Sequence, residues 1–225
     1  MILTDTDAYQ AYPNHRKWFN RLWLSEQLGY VCGPHGIAPP STGWYIVRPI
    51  YNLYGMGAGA KIKYISKYDD DACPPGYFWC ETFEGEHLSI DYSYTPLLGQ
   101  HNARRVVYGE KFPSNKLMFK RWIRTSAVET GLPSLFNELC AIPVFNVEMI
   151  GGKIIEVHLR PSSDPFYKVS IPIYDLRAGD GRNVRSAIDQ IEVLMNRHEG
   201  SVYIPAPDNA GGWNKTKRVG FVCYN

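Results

Sequence analysis

Phe145-Asn146-Val147-Glu148-Met149-Ile150-Gly151-Gly152-Lys153-Ile154-Ile155-Glu156-Val157-His158-Leu159-Arg160-Pro161-Ser162 is the stretch on which the fold turns. It reads as a strand, a Gly-Gly turn and a second strand, because both central residues of a type I′ turn need positive φ. Side chains along a strand alternate between faces. Glu156, His158 and Arg160 therefore share one face of the second strand, and Ile155, Val157 and Leu159 take the other, the core side. With Glu148 on the polar face as well, the hairpin gathers two carboxylates, an imidazole and a guanidinium. Two carboxylates suit Mg²⁺, a hard ion whose coordination is often completed by nucleotide phosphates. The guanidinium suits a phosphoryl or carboxylate group. An exposed face laced by cross-strand ion pairs fits the same residues equally well.

Composition narrows the field. The 225 residues are 44% hydrophobic, enough for one large domain or two small lobes. A net charge of +2 shows no nucleic-acid footprint and leaves small anionic ligands open. The five cysteines are scattered and none forms a Cys-x-x-Cys pair, which argues against zinc and disulfides and for reduced thiols in a cytoplasmic setting. No run is apolar enough to span a membrane, and the first residues lack the blocks of a signal peptide. Sixteen tyrosines favour β-rich packing.

Taken in order, the chain offers a helix over Asn14–Gly29, capped by Asn14 and stopped by Gly29. A Gly/Pro loop over 30–43 follows, then a strand Trp44–Arg48 closed by Pro49. The run from Tyr51 to Ala60 holds Gly55, Gly57 and Gly59 before a strand starting near Lys61. Glycines there allow backbone N–H groups to approach phosphate oxygens, although no Gly-Lys-Ser/Thr of a Walker A loop follows. Strands flank the acidic connection Glu81-Thr82-Phe83-Glu84-Gly85-Glu86. Two more strands are expected at Arg104–Tyr108 and Leu117–Arg124, and a helix runs from Pro133 or Ser134 to Cys140. After the hairpin come a strand over Tyr167–Ile171, a helix over Arg182–His198 and a closing strand over Val219–Cys223. No His-x-x-x-His or Gly-x-Ser-x-Gly supports a zinc or serine hydrolase. Phe119-Lys120-Arg121-Trp122 is read as strand packing rather than a nucleic-acid platform.

From about Asn14 to Ser162 this order resembles the ATP-grasp superfamily. Tyr45-Ile46-Val47-Arg48-Pro49 is similar to its valine-lysine-proline strand, and Gly55-Met56-Gly57-Ala58-Gly59-Ala60 to its phosphate flap. Glu81 to Glu86 resembles its nucleotide hinge. Asn146-Val147-Glu148 with Glu156-Val157-His158-Leu159-Arg160 resembles its metal hairpin, with His158 where the family has Asn and Arg48 where it usually has Lys. The resemblance implies an α+β fold: two lobes of mainly antiparallel sheet backed by helices, with a nucleotide cleft between them. The smaller lobe would lie within residues 1–80 and the larger within 81–225.

The implied cofactors are ATP and Mg²⁺. Glu148 and Glu156 would hold the metal, and His158 would tune that site, contact substrate or do neither. Arg160 and Arg48 would face the reacting phosphoryl group, with Lys17 as a further cationic contact. Gly57 and Gly59 would let the flap close, Glu81 and Phe83 would meet adenine, and Glu86 the ribose. The activity implied is a carboxylate–amine ligase working through an acyl phosphate on small-molecule or peptide substrates. A non-catalytic binding or assembly subunit and a small-molecule kinase are the alternatives. Only about thirteen residues precede the expected first helix, so the family's N-terminal domain is expected to be absent or supplied by a partner chain.

Overall fold

The computed structural model describes residues 3–53, 57, 59–112, 115–126, 131–162, 169–176, 187–205 and 216–225. A helix unforeseen in the sequence, α1 (Asp5–Ala11), comes first. Thr4 caps it: its hydroxyl accepts from the Asp7 N–H, and the Asp7 carboxylate accepts from the Thr4 N–H. The helix expected over Asn14–Gly29 is two pieces, a 3₁₀ turn (Pro13–Phe19) and α2 (Arg21–Gln27). Asn20 makes the break. Its backbone is extended (φ −86°, ψ 101°) and its side chain accepts from the Trp23 N–H, so it, rather than Asn14, caps the helix that follows. Gly29, at φ 72°, supplies the left-handed stop beyond α2.

Four strands form a small sheet: β1 (Cys32–Pro34), β2 (Gly43–Pro49), β3 (Lys61–Ile65) and β4 (Tyr77–Glu81), in the order β1-β4-β2-β3. β1 falls in the expected loop, being too short and Gly/Pro-rich to show any alternation. The large sheet holds β5 (His87–Thr95), β6 (Gln100–Phe112), β7 (Asn115–Thr125), β8 (Phe145–Ile150), β9 (Lys153–His158), β10 (Val169–Leu176), β11 (Val202–Pro205) and β12 (Thr216–Tyr224). Its order is β11-β12-β10-β7-β6-β5-β8-β9. Every pairing among the described strands is antiparallel, so the architecture is α+β. Two further 3₁₀ turns (Pro96–Leu98 and Ser134–Leu139) and α3 (Ala187–Arg197) complete the described elements; residues 182–186 of the expected last helix lie outside the described residues. β10 runs through Pro172 instead of ending there. It pairs with β7 only at Val169 and Ser170, so beyond them it is an edge on that side, where proline is tolerated.

The edge strand β9 organises the N-terminal helices. Ala8, Trp18, Phe19 and Leu24 join Ile90, Phe136, Phe145, Val147, Val157 and Leu159 in the main core on one face of the large sheet. Trp18, 1% exposed, packs against Phe136 with ring centroids 4.7 Å apart and planes tilted by 58°. Truncating such a ring costs about 3–5 kcal/mol. The small sheet has its own core around Tyr45, Val47, Ile65 and Trp79. The hairpin carries one departure from simple alternation. Glu148 faces Glu156, but Met149 faces Ile154, so Ile155 is the extra residue of a bulge. Ile154, Val157 and Leu159 are therefore the core positions, while Ile155, expected there, is only half-buried. Among the described residues no helix is long and apolar enough to cross a membrane.

Candidate functional site

Glu148 and Glu156 lie directly opposite one another across the hairpin, on the face away from the main core. Ser89 pairs with Glu148 and Asp91 with Asn146, so β5 extends the same polar face through His87, Ser89 and Asp91. Asn146 donates to both the Ser89 hydroxyl and Asp91, each at 2.9 Å. Asp91 also accepts from the Ser162 N–H at 2.8 Å, which ties the end of the hairpin to the sheet. Arg21, the first residue of α2, reaches over the edge strand and bonds the Glu156 carboxylate.

Two imidazoles converge on these acids. His87 Nε2 donates to Glu148 at 3.1 Å, and His158 Nε2 stands 3.6 Å from both Glu148 and Glu156. His158 Nδ1 donates to Asp5 at 2.9 Å, and Arg160 Nη2 donates to the other Asp5 oxygen at 2.7 Å. Burial disfavours the charged imidazole of His158, but Asp5 and Glu156 together outweigh both burial and the repulsion of Arg160, and raise it to about 10. Burial likewise opposes the Asp5 carboxylate, yet His158 and Arg160 hold it down at about 2. Burial opposes the Glu148 anion too; the nearby His158 and His87 imidazoles prevail and keep its carboxyl well below the usual range. At neutral pH His158 thus presents protons, not lone pairs, to the two glutamates, and an imidazolium has no lone pair for a metal.

The small sheet closes over this face. Arg48, 8% exposed, lies over the Phe78 ring at 5.2 Å, and its Nε has no hydrogen-bond partner. Burial and the nearby Arg21 push its guanidinium down to about 10, against the pull of Glu156 and Glu148. It stays charged at neutral pH. The adjacent thiols of Cys32 and Cys80, register partners, are pushed by burial up to about 12 and 11, so neither supplies a thiolate nucleophile. The connection after β4 meets the hairpin tip: the Gly151 N–H donates to the Glu86 carbonyl at 2.9 Å. A Cβ at Gly151 would come within 2.1 Å of the Glu84 carbonyl oxygen, so only glycine permits this approach.

No family model matches the sequence, and no curated protein matches it. Solved structures do. Carboxyaminoimidazole ribonucleotide synthase from Aspergillus clavatus, complexed with ATP, superposes with a TM-score of 0.57 at 11% identity, covering 99% of this chain and 75% of that one. N5-carboxyaminoimidazole synthetase from Staphylococcus aureus, complexed with ADP, gives 0.57 at 12% identity, with 96% and 69% covered. L-amino acid ligase from Bacillus licheniformis gives 0.57 at 11% identity, with 93% and 67% covered. The chain has the ATP-grasp fold.

Within the ATP-grasp frame the residues singled out in the sequence fall into three places. Glu148, Glu156, His158 and Arg160 form one face, with Arg48 opposite. Glu81, Phe83 and Glu86 lie along the connection between the sheets. Glu81 Oε1 accepts from the Val31 N–H at 2.8 Å, Phe83 meets Tyr30 edge-on at 4.7 Å, and Glu86 is exposed. Gly57 and Gly59 have positive φ (59° and 78°), and a Cβ on Gly59 would press on Tyr77 and Pro49; Gly55, Met56 and Ala58 of the expected flap lie outside the described residues. Lys17 is engaged elsewhere, by Glu138 at 2.6 Å and over the Trp23 ring. Arg21, four residues on, is the cation that joins the acids.

Asp5, Arg21 and His87 were not foreseen in the sequence. His87-Leu88-Ser89-Ile90-Asp91 carries a readable period-two signal. Asp5 and Arg21 carry none, because each reaches the site from a helix across 135 residues or more of chain.

Proposed function

We propose that the protein is an ATP- and Mg²⁺-dependent ligase joining the carboxylate of a small molecule or peptide to an amine, and that it acts in the cytoplasm. The observation that carries this reading is the direct opposition of Glu148 and Glu156 beneath the buried, partly unpartnered Arg48 guanidinium. That donor set fits the ion. Among the described residues no group of three or more His, Cys, Asp or Glu side chains is arranged to hold a metal. Two carboxylates with the remaining positions left to phosphate oxygens are what Mg²⁺ in nucleotide sites accepts. The solved structures of this fold complexed with ATP or ADP support nucleotide as the ligand. The chain spans 67 to 75% of the length of these three structures.

In this reading a substrate carboxylate oxygen bonds to the terminal phosphorus of ATP and ADP leaves. An amine then bonds to the acyl carbon, losing a proton, and inorganic phosphate departs. Bound Mg²⁺ would supply neutralisation of phosphate charge. Arg48 and Arg160 would stabilise charge on the transferring group from fixed positions in a site largely shielded from water. Arg21 would hold Glu156 in place, and Asp5 would orient both Arg160 and His158. Gly57 and Gly59 would let the flap approach phosphate, Glu81 and Phe83 would border the base, and Glu86 would accept from ribose hydroxyls.

Calorimetry with Mg²⁺ and ATP or ADP tests the reading. Saturable binding is expected, weakened at least tenfold in Glu156→Gln and Glu148→Gln. No binding at millimolar nucleotide would end it. A second reading, a binding subunit without turnover, is favoured by the prior engagement of both glutamates by Arg21, His87 and His158. Nucleotide binding without ADP release across a panel of carboxylates and amines would select it.

A further inference from the structure

Beside the carboxylate cluster, the same sheet face carries a second charged feature. Arg104, Arg105 and Arg124, with Val106, Thr125 and Ser126, line an open cavity of about 300 Å³ where β6 and β7 run together. Strand alternation would send Arg104 and Arg105 to opposite faces. A bulge prevents this. Asp91 pairs with Arg105 but Tyr92 pairs with Ala103, so Arg104 is the additional residue. Arg104 Nε donates to the Ser93 hydroxyl at 2.6 Å, on the face that Asp91 occupies, and so both arginines line one pocket. Bulges re-aim side chains in this way beside functional sites. Arg124 pairs with Val107, which pairs with Ser89, and so joins the same face.

Among the described lining residues every formal charge is positive. Arg105 is 6% exposed and stands 3.8 Å from Asp91, whose other oxygen is shared by Asn146 and the Ser162 N–H. Among the described residues that line this space, three carry guanidiniums and none a carboxylate, with Asp91 standing beside Arg105. Guanidiniums offer planar pairs of donors that match phosphate and carboxylate oxygens.

The position matters as much as the charge. Arg105, Asp91 and Asn146 are successive register partners on β6, β5 and β8, and Glu148 is two residues along β8 from Asn146. With strands about 4.8 Å apart and about 3.4 Å per residue, Arg105 and Glu148 are about 12 Å apart between Cα atoms. That is the length of a small metabolite lying on the sheet.

We propose that this arginine pocket is the anchoring subsite for a dianionic group, a phosphate ester or a second carboxylate, on the ligase substrate. The substrate's reacting end would then lie toward Glu148 and Glu156. The assignment of the anchored molecule as substrate rests on the ligase reading; the binding of the anion does not.

Nucleotide-free protein is titrated by calorimetry with inorganic phosphate and, separately, with succinate at fixed ionic strength, in wild type, Arg124→Gln, Arg104→Gln and the distant surface variant Lys67→Gln. Saturable binding of at least one anion is expected. Loss of one guanidinium contact should weaken it about tenfold. Lys67→Gln should not change it. Tighter phosphate binding identifies a phosphate ester, and tighter succinate binding a second carboxylate. Absence of saturable binding by either anion, or equal affinity in wild type and both arginine variants, overturns the proposal. The second outcome would place the bound anion outside this pocket. Neither result bears on nucleotide binding at Glu156, so the two readings fail separately.

Discussion

Asp5→Asn is the most informative single change. Asp5 is 3% exposed and accepts charge-assisted hydrogen bonds from His158 and Arg160. A carboxyl held at about 2 rather than 3.8 corresponds to about 2.5 kcal/mol of folded-state preference for the anion. Asparagine keeps the shape but not the charge, and strands an imidazolium and a guanidinium in a buried site. Breaking one partner from a buried ion pair costs about 3–5 kcal/mol. The two figures bracket a loss of roughly 2.5–5 kcal/mol, or about 5–20 °C in Tm for a chain of this size. The pH dependence is diagnostic. The Asp5 contribution is present above about pH 4 and is lost as pH falls toward 2, because its folded value is depressed. The His158 contribution is complete below about pH 6.5 and is lost as pH rises through about 10, because its folded value is raised. The gap between wild type and Asp5→Asn should therefore be widest between about pH 4 and 6.5 and shrink on both sides. Urea unfolding at a series of pH values measures it. A gap under about 1 kcal/mol at pH 6, or one that stays constant from pH 6 to 10, would refute the clamp.

Other expectations follow from the same geometry. Arg48→Met should raise the stability of the nucleotide-free protein by about 1–3 kcal/mol, since a buried charge disfavoured by burial and by Arg21 is removed, while nucleotide affinity falls at least tenfold; thermal denaturation and calorimetry read the two effects, and destabilisation would contradict the placement. Gly151→Ala should cost clearly more than Gly152→Ala. Both have positive φ, which costs about 1–2 kcal/mol with a side chain, but only at Gly151 would the new carbon strike a backbone carbonyl. Equal losses in urea unfolding would place the Glu84–Glu86 connection elsewhere. Lys17→Ala should change stability by less than about 1 kcal/mol, because its pair with Glu138 is exposed, and should leave nucleotide affinity within about twofold; a tenfold loss would bring Lys17 into the site.

The strands around the site were legible because each signal was local. Gly151-Gly152 between two β-prone runs set the hairpin, and the period-two run Glu156-His158-Arg160 put its polar residues together, whatever lay around them. The acids followed from residue type and alternation, and the buried arginine of β2 and the connection after β4 from the resemblance of their motifs, taken in order, to those of the ATP-grasp superfamily. Alternation failed at Ile155 and at Arg104, where bulges insert one residue. A bulge leaves no mark in hydrophobic periodicity, because pairing partners decide it and they are distant in sequence.

Tertiary structure alone decided which charges meet. Asp5 and Arg21 look like ordinary surface residues of short N-terminal helices. They become site residues only because those helices cover the open edge of β9 and reach past it onto the polar face. Their ionisation depends on burial and on partners brought together from across the chain. That is why the sequence by itself determined the fold and the two carboxylates, while the packing of helices against an edge strand determined their electrostatic environment.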